Sequence, residues 1–423
     1  MRFSKVNAKN FKSFDSLRLC FSDFNVVIGA NASGKSNFLS LIRFLKDIDS
    51  WGLESAISLQ GGRDYILNKN VGKKETLLID FEIDSGVGRT HYMAVPRVGG
   101  YRSTYINSRA LMEIKFKERG SGYKIVNNVF EVSFILEKGY DGNEEWEVEE
   151  NYGEFTYGLY VDKKGNIVVD VKGDLPDAIN LEDIFPLPVS VLHKLLDKDE
   201  PLFSQFFISI LHPWREKVFK NLSIFDFSPN VVKSASPVVG KSQLEENASN
   251  LPVVLRRVLK KSSDRNRFVR ILSDLLPFVN DVKISETNDK SLLLEIKESY
   301  DSKHYLPSTF LSDGTVHAVA LMSALYFDEA KLAFFEEPER NLHPALVQKV
   351  VDHMKSHSSD KQIFVTTHNA ELLRNVAVED VFFVSRKSNG VSVMNNISHR
   401  KDVQAFLENE IGLDELYVQN LLG

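Results

Sequence analysis

The phosphate-loop pattern G-x-x-x-x-G-K-[ST] is matched at every fixed position by Gly29-Ala30-Asn31-Ala32-Ser33-Gly34-Lys35-Ser36. An apolar run typical of a strand, Phe24 to Ile28, precedes this segment, and a pattern typical of a helix, Asn37 to Asp47, follows it. The motif requires this context, because the glycines let backbone N–H groups turn toward phosphate oxygens while the helix presents its positive end to them. A chance glycine turn before a surface helix is the alternative, which this context disfavours. The sequence therefore predicts a site for a nucleoside triphosphate.

The residue types in this segment indicate individual contacts. The Lys35 ammonium can reach the β- and γ-phosphates, and the Ser36 hydroxyl can hold Mg²⁺. We therefore expect ATP and Mg²⁺ as cofactors, with Ser36 as a metal ligand. The residues expected to contact the nucleotide from the loop and the start of the helix are Gly29, Asn31, Ala32, Ser33, Gly34, Lys35, Ser36 and Asn37.

The composition is that of a globular protein with more than one lobe. Its 423 residues exceed the usual limit of a single core, and its 43% apolar and 26% charged residues exclude a disordered chain. No apolar run reaches the ~18 residues that a membrane helix needs, and the first residues lack the apolar centre of a signal peptide. The single cysteine, Cys20, excludes intrachain disulfides and cysteine-based zinc sites. We expect a cytoplasmic protein.

One basic stretch stands out against a formal net charge of −6, which by itself does not attract nucleic acid. This stretch, from Leu255 to Arg270, contains Arg256, Arg257, Lys260, Lys261, Arg265, Arg267 and Arg270. A solvated helix face is the simpler interpretation, because most charge runs are of that kind. Contact with DNA phosphates is the alternative, and the sequence leaves both open.

The apolar pattern changes twice along the chain. It first alternates with a period of two between clusters of Gly, Asp and Lys, which predicts an antiparallel β-rich lobe. Helical spacing at 188–196 and 202–219 then predicts a helical insertion, followed by a loop-rich connector at 226–250. From about residue 251 helices alternate with strands, which predicts a mainly parallel sheet covered by helices. The expected division is 1–170 for an N-terminal lobe, 171–250 for the insertion and connector, 251–400 for a C-terminal lobe and 401–423 for a helical tail.

Individual elements follow from the same patterns. A helix is expected at 253–276. The strands expected in the β-rich lobe are 76–83, 91–96, 111–116, 124–136, 146–150 and 154–161. The strands expected in the C-terminal lobe are 281–284, 291–298, 331–335, 362–366, 381–385 and 391–394.

A second element typical of a P-loop enzyme lies far along the chain. The apolar run Leu332 to Phe335 ends in Glu336-Glu337-Pro338-Glu339. Ligands of open α/β sheets bind at the carboxyl ends of parallel strands. One carboxylate there can hold the water shell of Mg²⁺, and the next can orient and polarise the attacking water. A strand followed by a charged turn is the alternative for this segment taken alone.

Two shorter segments point the same way but are weak individually. Leu311-Ser312-Asp313-Gly314-Thr315 precedes an apolar helix, whose start can bind an anion beside Ser312. Ser-Asp-Gly is also an ordinary helix cap. The strand at 362–366 leads to His368, which can hydrogen-bond a γ-phosphate, although a histidine at a strand end is more often structural.

Taken together and in chain order, these segments resemble the ABC-type ATPases of the SMC, RecF and OLD class. They are most similar to the compact "AAA family" ABC ATPases met in bacterial defence and repair operons. The resemblance implies an α/β P-loop fold with a parallel core sheet, an antiparallel β-rich lobe and a helical insertion. It does not cover 85–245. Its segments are Asn10-Phe11-Lys12-Ser13-Phe14, the phosphate loop, Asn250-Leu251, Leu311–Thr315, Phe334–Pro344 and Thr366–Asn369.

The resemblance also implies how ATP is held. Two subunits lie head to tail with ATP between them, so that the phosphate loop of one faces the other's Ser312, Asp313 and Gly314. Lys12 becomes a further nucleotide contact. The Q-loop glutamine stays open between Gln60 and Gln205.

Catalytic roles follow from the same resemblance. Glu337 becomes the general base, His368 the switch histidine and Glu336 the magnesium-side residue. Most ABC proteins have aspartate where Glu336 stands, and a bridging water can accommodate the extra methylene.

The expected function is an ATP-dependent dimerisation switch that controls a partner effector, a nuclease encoded nearby, in antiviral defence. Few residues follow the last motif before Gly423, so we expect that nuclease to be a separate protein. The alternative is a RecF-like ATPase that binds DNA through the basic stretch during repair. A transporter subunit is disfavoured, because the Leu-Ser-Asp-Gly-Thr and Glu-Glu-Pro-Glu segments are more typical of the SMC-like branch. The expected partners are further copies of the chain, in a head-to-tail dimer or larger oligomer, and the effector, with no membrane; DNA is a partner only in the alternative.

Overall fold

The computed structural model describes residues 2–71, 75–84, 92–94, 100–117, 120, 122–141, 146–173, 176, 179, 191, 194–205, 219, 221–238, 243–301 and 303–422. The strands are β1 (Arg2–Phe11), β2 (Phe14–Cys20), β3 (Phe24–Ile28), β4 (Leu77–Asp84), β5 (Tyr92–Ala94), β6 (Tyr101–Phe116), β7 (Tyr123–Asp141), β8 (Trp146–Val161), β9 (Ile167–Lys172), β10 (Leu222–Phe225), β11 (Val279–Glu286), β12 (Leu292–Glu298), β13 (Leu306–Pro307), β14 (Leu332–Glu336), β15 (Gln362–Thr367), β16 (Val381–Arg386) and β17 (Ser392–Asn396).

The helices are α1 (Lys35–Trp51), α2 (Leu53–Leu59), α3 (Arg63–Ile66), α4 (Pro229–Lys233), α5 (Leu251–Val258), α6 (Ser262–Leu275), α7 (Asp313–Phe327), α8 (Pro344–His357), α9 (Lys401–Glu408) and α10 (Leu413–Val418). Short 3₁₀ turns lie at Leu202–Ser204, Ser308–Phe310, Ala370–Asn375 and Val378–Asp380. No helix in the described part of the chain is long and apolar enough to cross a membrane.

Contacts within the chain define two compact units. The first comprises Met1–Phe21, Ala32–Asn221 and Val384–Asn395, and the second Ser22–Asn31, Leu222–Phe383 and Asn396–Gly423. The boundary therefore passes through the phosphate loop, between Asn31 and Ala32. The four-part division expected from the sequence stays a prediction.

The first unit contains a sheet in the order β17-β2-β1-β4-β6-β7-β8-β9, with β5 added beside β6. Its pairs are antiparallel except for β17 with β2. Residues of β4 are alternately buried and half-buried, as a sheet with one covered face requires. Phenylalanines fill the core beneath it, where the ring of Phe81 lies 5.0 Å from that of Phe203 and 5.4 Å from that of Phe219, measured between centroids.

The β-rich lobe has the expected antiparallel strands, but β6, β7 and β8 are longer than the patterns predicted. The predicted strand 111–116 is only the end of β6, and 146–150 and 154–161 form the single strand β8. The strand β9 was not predicted. Most of the predicted helical insertion lies outside the described residues, and Leu202–Ser204 within it is a 3₁₀ turn.

The second unit contains a fully parallel sheet in the order β10-β14-β15-β3-β16. Residues of β3 and β15 are buried throughout, as is typical of parallel strands covered on both faces. The helix α7 is buried on nearly all sides and forms the centre of the apolar core beside this sheet. A separate antiparallel sheet consists of β11, β12 and β13. The predicted mainly parallel sheet is therefore present.

Two expectations for this unit were wrong. The edge strand β10 and the helix α4 lie in the segment predicted as helical insertion and loop-rich connector. The single helix predicted at 253–276 is two helices, α5 and α6, because the chain turns at Leu259–Lys261.

Candidate functional site

In the first unit, the second half of the phosphate loop turns directly into α1. Gly34 precedes this helix with a φ of +128°, and its carbonyl oxygen accepts hydrogen bonds of 3.0 Å from the backbone N–H groups of Asn37 and Phe38. A Cβ atom at Gly34 would lie 2.5 Å from the Ser392 Oγ, so both the conformation and the space require glycine. Lys35 is only 8% exposed, whereas Ser36 is exposed.

Residues far along the chain hold this half of the loop. The Ser392 Oγ donates a 2.5 Å hydrogen bond to the Ser33 carbonyl oxygen, and the Arg386 Nη1 donates one of 3.2 Å to the Ala32 carbonyl oxygen. The Asn37 side-chain amide donates a 2.7 Å hydrogen bond to the Ser13 Oγ. No sequence pattern pointed to Ser392 or Arg386, because their role depends on contacts between distant segments.

A cavity of about 380 Å³ lies in the first unit beside these residues. Among the described residues, its lining contains three cations, Lys12, Lys69 and Arg386, and no carboxylate. The other lining residues are Ser13, Asn37, Gln60, Tyr65, Leu67, Asn68, Asn70 and Gly390. Burial, and then the nearby Arg43 guanidinium, lower the pKa of Lys12. The predicted nucleotide contacts Lys12 and Asn37 therefore line the same cavity.

Two further residues of the lining differ in exposure. Tyr65 is 66% exposed, and the Lys69 Nζ lies 5.7 Å from its ring centroid. Asn68 is 3% exposed, its Oδ1 accepts a 2.9 Å hydrogen bond from the Asn70 N–H, and its Nδ2 has no hydrogen-bond partner among the described residues. A buried donor without an acceptor is costly to the folded state.

The two glutamines considered for the Q-loop have different surroundings. Gln60 lines this cavity. The side chain of Gln205 instead donates hydrogen bonds to the carbonyl oxygens of Asp197 (2.6 Å) and Glu200 (3.1 Å), within its own loop.

In the second unit, the loop leaves the sheet at the same edge as the predicted catalytic residues. Gly29, Ala30 and Asn31 follow β3, Glu337 follows β14, and His368 follows β15. Because β14, β15 and β3 are parallel neighbours, with Glu336 in register with Thr366 and Thr367 with Ile28, their carboxyl ends meet at one edge. This is the edge at which ligands bind in open α/β sheets.

Glu337 and His368 contact each other directly. The Glu337 Oε1 lies 2.7 Å from the His368 Nδ1, and the Glu337 N–H donates a 2.9 Å hydrogen bond to the Thr366 carbonyl oxygen. Glu337 has a φ of +46°, which is rare for a residue other than glycine and costs about 1–3 kcal/mol. Strained backbone of this kind is concentrated at functional sites.

Arg340 holds the other oxygen of Glu337, a contact that the sequence patterns missed. Its Nη2 lies 3.1 Å from the Glu337 Oε2, and its Nη1 lies 3.0 Å from the Asp226 Oδ1. Burial raises the pKa of Glu337, but the hydrogen bonds from His368 and Arg340 outweigh it, so the net pKa is lowered. Glu337 is therefore ionised at neutral pH and able to accept a proton.

The predicted anion-binding segment caps α7. The Ser312 Oγ accepts a 3.1 Å hydrogen bond from the Thr315 N–H, and Asp313 forms an ion pair with Lys233. A Cβ atom at Gly314 would lie 2.5 Å from the Asn341 carbonyl oxygen, so this close approach also requires glycine. Ser312 is thus an ordinary N-cap within this chain, and its predicted contact with the nucleotide of a second copy stays a prediction.

The residues expected to hold Mg²⁺ have the right chemistry for it. Ser36 has an exposed hydroxyl at the start of α1, and Glu336 ends β14 with a carboxylate. Both are hard oxygen donors, and Mg²⁺ in such sites keeps several waters and binds substrate phosphates as well. The described residues contain no cluster of three or more histidine, cysteine or acidic side chains, so a dedicated protein cage for a metal is not present among them.

Comparison with known proteins gives one family over most of the chain. Residues 1–373 match the AAA ATPase domain family. Endonuclease GajA of Bacillus cereus (strain VD045) is 23% identical over 389 residues, which cover 88% of this chain and 56% of GajA. The chain thus spans about half the length of that relative. An ATP/GTP phosphatase of Helicobacter pylori (strain ATCC 700392 / 26695) is 20% identical over 376 residues, which cover 87% of this chain and 85% of the phosphatase.

The solved structures that match have lower sequence identities. An SMC head bound to the C-terminal winged-helix domain of ScpA is 17% identical, covers 96% of this chain and 100% of its own, and has a TM-score of 0.44. The SMC head domain of Thermotoga maritima is 14% identical, and the match covers 94% of this chain and 100% of that domain, with a TM-score of 0.38. Scores this low carry no weight for the fold, which is defined by the parallel sheet and the phosphate loop.

Proposed function

The chain belongs to the AAA ATPase domain family, and from that premise we propose that it binds ATP with Mg²⁺ and hydrolyses it to ADP and phosphate. The observation that carries this proposal is the 2.7 Å contact between Glu337 and His368 at the carboxyl edge of the parallel sheet, two strands from the end of β3. Similarity to an ATP/GTP phosphatase supports it.

Each residue has a separate part in the proposed reaction. Lys35 and the backbone N–H groups of the loop neutralise the phosphates. The Glu337 carboxylate accepts a proton from the attacking water, and Arg340 holds the carboxylate in place. His368 donates a hydrogen bond to the γ-phosphate in this proposal. When bound by Ser36 and Glu336, Mg²⁺ supplies further neutralisation of the charge on the phosphate oxygens.

We assign the cationic cavity to the base and ribose of the same nucleotide. It adjoins the Ala32–Asn37 half of the loop through Arg386 and Ser13. The exposed ring of Tyr65 offers a stacking surface for a base.

A turnover measurement tests the central proposal. The protein should release phosphate from ATP in the presence of Mg²⁺, and Glu337→Gln should stop this release while ATP still binds. Glu379→Gln, an exposed carboxylate elsewhere in the second unit, is the matched control and should retain wild-type turnover. Unchanged phosphate release by the Glu337 variant would contradict the assignment of the base.

We propose further that ATP closes a head-to-tail dimer and that closure controls a partner effector, a nuclease, in antiviral defence. This proposal is supported by the similarity to GajA, which is named an endonuclease. The match covers 56% of the length of GajA. Copurification from the native operon tests this role. A nuclease that associates only with the ATP-bound protein is expected, whereas copurification without one would contradict the proposal.

A second candidate function is DNA binding in repair, through the basic stretch. Contacts within the chain already occupy several cations of that stretch, which reduces the number that can contact DNA phosphates. Arg265 pairs with Asp281 at 2.5 Å, Arg256 lies 3.8 Å from Glu286, and the Arg267 guanidinium lies 5.6 Å from the centroid of the Tyr326 ring. The cations left for DNA include the exposed residues Arg257, Lys260, Lys261 and Arg270, the last of which donates a hydrogen bond to the Asn266 carbonyl oxygen of its own helix.

A further inference from the structure

A second, buried pair lies directly behind the Glu337–His368 contact. The Thr367 hydroxyl donates a hydrogen bond to the Glu339 Oε1, and the Asn369 N–H donates one of 2.9 Å to the Thr367 Oγ1. Thr367 immediately precedes His368, and Glu339 lies two residues after Glu337. The two pairs therefore join the same two segments, one at the surface and one in the interior.

The surroundings of Glu339 favour a neutral carboxyl group. Glu339 is 6% exposed, and its Oε2 has no hydrogen-bond partner among the described residues. Burial raises the pKa of Glu339 to about 7, although the Thr367 hydrogen bond opposes this shift and the Glu337 charge adds to it. A neutral acid there avoids repulsion of the Glu337 carboxylate and still accepts the hydrogen bond from Thr367.

The segment that contains Glu339 is fixed from two sides. The His317 Nε2 lies 2.9 Å from the Pro338 carbonyl oxygen, and burial lowers the pKa of His317, so the neutral ring donates this hydrogen bond. The Leu342 N–H donates a 3.0 Å hydrogen bond to the Glu339 carbonyl oxygen. Glu339 therefore has a rigid backbone from which to hold Thr367.

We propose that Glu339 is a positioning residue for ATP hydrolysis: through Thr367 it fixes His368 against Glu337. This inference rests on the proposed function. Because the part of this carboxyl group is to accept the hydrogen bond from Thr367, an uncharged acceptor of the same shape should replace it.

Paired substitutions test the proposal by separating kcat from KM. Glu339→Ala and Thr367→Val should lower kcat about tenfold or more and leave KM for ATP within about twofold, because catalytic groups lose their alignment while phosphate binding stays. Glu339→Gln and Thr367→Ser, which keep the acceptor and the hydroxyl, should retain most of the turnover. Thr366→Val is the matched control: its buried hydroxyl has no partner among the described residues, so turnover should not change.

The outcomes are distinguishable. Wild-type kcat in both Glu339→Ala and Thr367→Val would overturn this inference alone. Equal losses in Glu339→Gln and Glu339→Ala would overturn it too, since they would show a need for an ionisable group. Thermal unfolding checks that each variant is folded. If Glu339→Ala is not folded, the comparison of Thr367→Val with Thr367→Ser decides. If Thr367→Val is not folded, the comparison of Glu339→Ala with Glu339→Gln decides. Absence of ATP turnover in the wild type would overturn the proposed function and this inference with it.

Discussion

Glu337 and His368 follow neighbouring parallel strands, and their side chains meet at 2.7 Å, although 31 residues separate them in the sequence. Arg340 holds the opposite oxygen of Glu337 at 3.1 Å. A carboxylate fixed on both sides can orient a water without first reorganising. This arrangement makes the pH dependence of turnover a direct test of the proposed chemistry.

Removing the Arg340 charge should move the acid limb of the pH profile. The pKa of Glu337 is lowered, so its base form persists as the pH falls and is lost only when the pH drops through that lowered pKa. Arg340→Gln should raise the pKa of Glu337, and the acid limb of kcat/KM should therefore shift to higher pH. Arg374→Gln, which loses ion pairs with Glu371 and Asp414 instead, is the control. An unshifted limb in Arg340→Gln would show that another group sets it.

Lys35→Ala should abolish ATP binding, because the phosphates lose the lysine that contacts them from the loop. Titration calorimetry with ATP and Mg²⁺ measures this directly. Lys46→Ala removes the same charge from the same helix and should bind ATP normally. Wild-type affinity in Lys35→Ala would refute the phosphate site.

Tyr65→Ala should weaken ATP binding without slowing chemistry. Stacking of a base on an aromatic ring contributes about 1–3 kcal/mol, so KM should rise about fivefold or more while kcat stays close to wild type. Tyr160→Ala, which removes another surface tyrosine of the first unit, should leave KM unchanged. Equal KM values for the wild type, Tyr65→Ala and Tyr160→Ala would show that the nucleotide base does not stack on Tyr65.

A head-to-tail dimer should show complementation between two inactive variants. Ser312→Arg places bulk at the neighbour's γ-phosphate, and Lys35→Ala destroys the subunit's own phosphate site. A mixed dimer retains one intact composite site, so equal mixing should restore about a quarter of wild-type turnover. Mass spectrometry of labelled subunits establishes that exchange has occurred. Persistent inactivity after exchange would argue against shared sites.

DNA binding, if the basic stretch mediates it, should weaken steeply with salt. The log–log slope should be about −0.9 for each phosphate neutralised on duplex DNA. Reversing Arg257, Lys260 and Lys261 to glutamate should flatten the slope and leave ATP turnover without DNA unchanged. The control reverses the exposed residues Lys124, Lys163 and Lys164, which lie in the other unit. Salt-independent binding by the wild type would exclude this interface.

The sequence predicted those parts of the site that depend on local pattern. The phosphate loop, the acidic end of β14 and the histidine after β15 each have a recognisable flanking strand, and the predicted α/β fold with a parallel sheet is confirmed. Arg340 could not be assigned, because its role requires a turn that brings it back to Glu337. The strand β10 was missed because four residues, Leu222–Phe225, are too short to show a period.

Other parts depend on pairing between distant segments. The strand β6 extends ten residues before its predicted start, through polar positions such as Arg102 and Asn107, because β7 supplies hydrogen-bond partners for its backbone. The same holds for Glu339 and Thr367, whose contact exists only once β14 and β15 are side by side. No local pattern contains that information.

The hydrogen bond from Ser392 to Ser33 lies outside the family match, which ends at residue 373. A polypeptide trimmed to that match would retain all the nucleotide motifs and lose the support of the phosphate loop. The smallest piece of this protein that works on its own therefore extends beyond its last motif, at least through the turn after β16 and the strand β17. Deletion mapping would find that boundary beyond Asn396, because Val403, Leu413 and Leu416 also belong to the apolar core of the second unit, whereas a search for motifs would place it earlier.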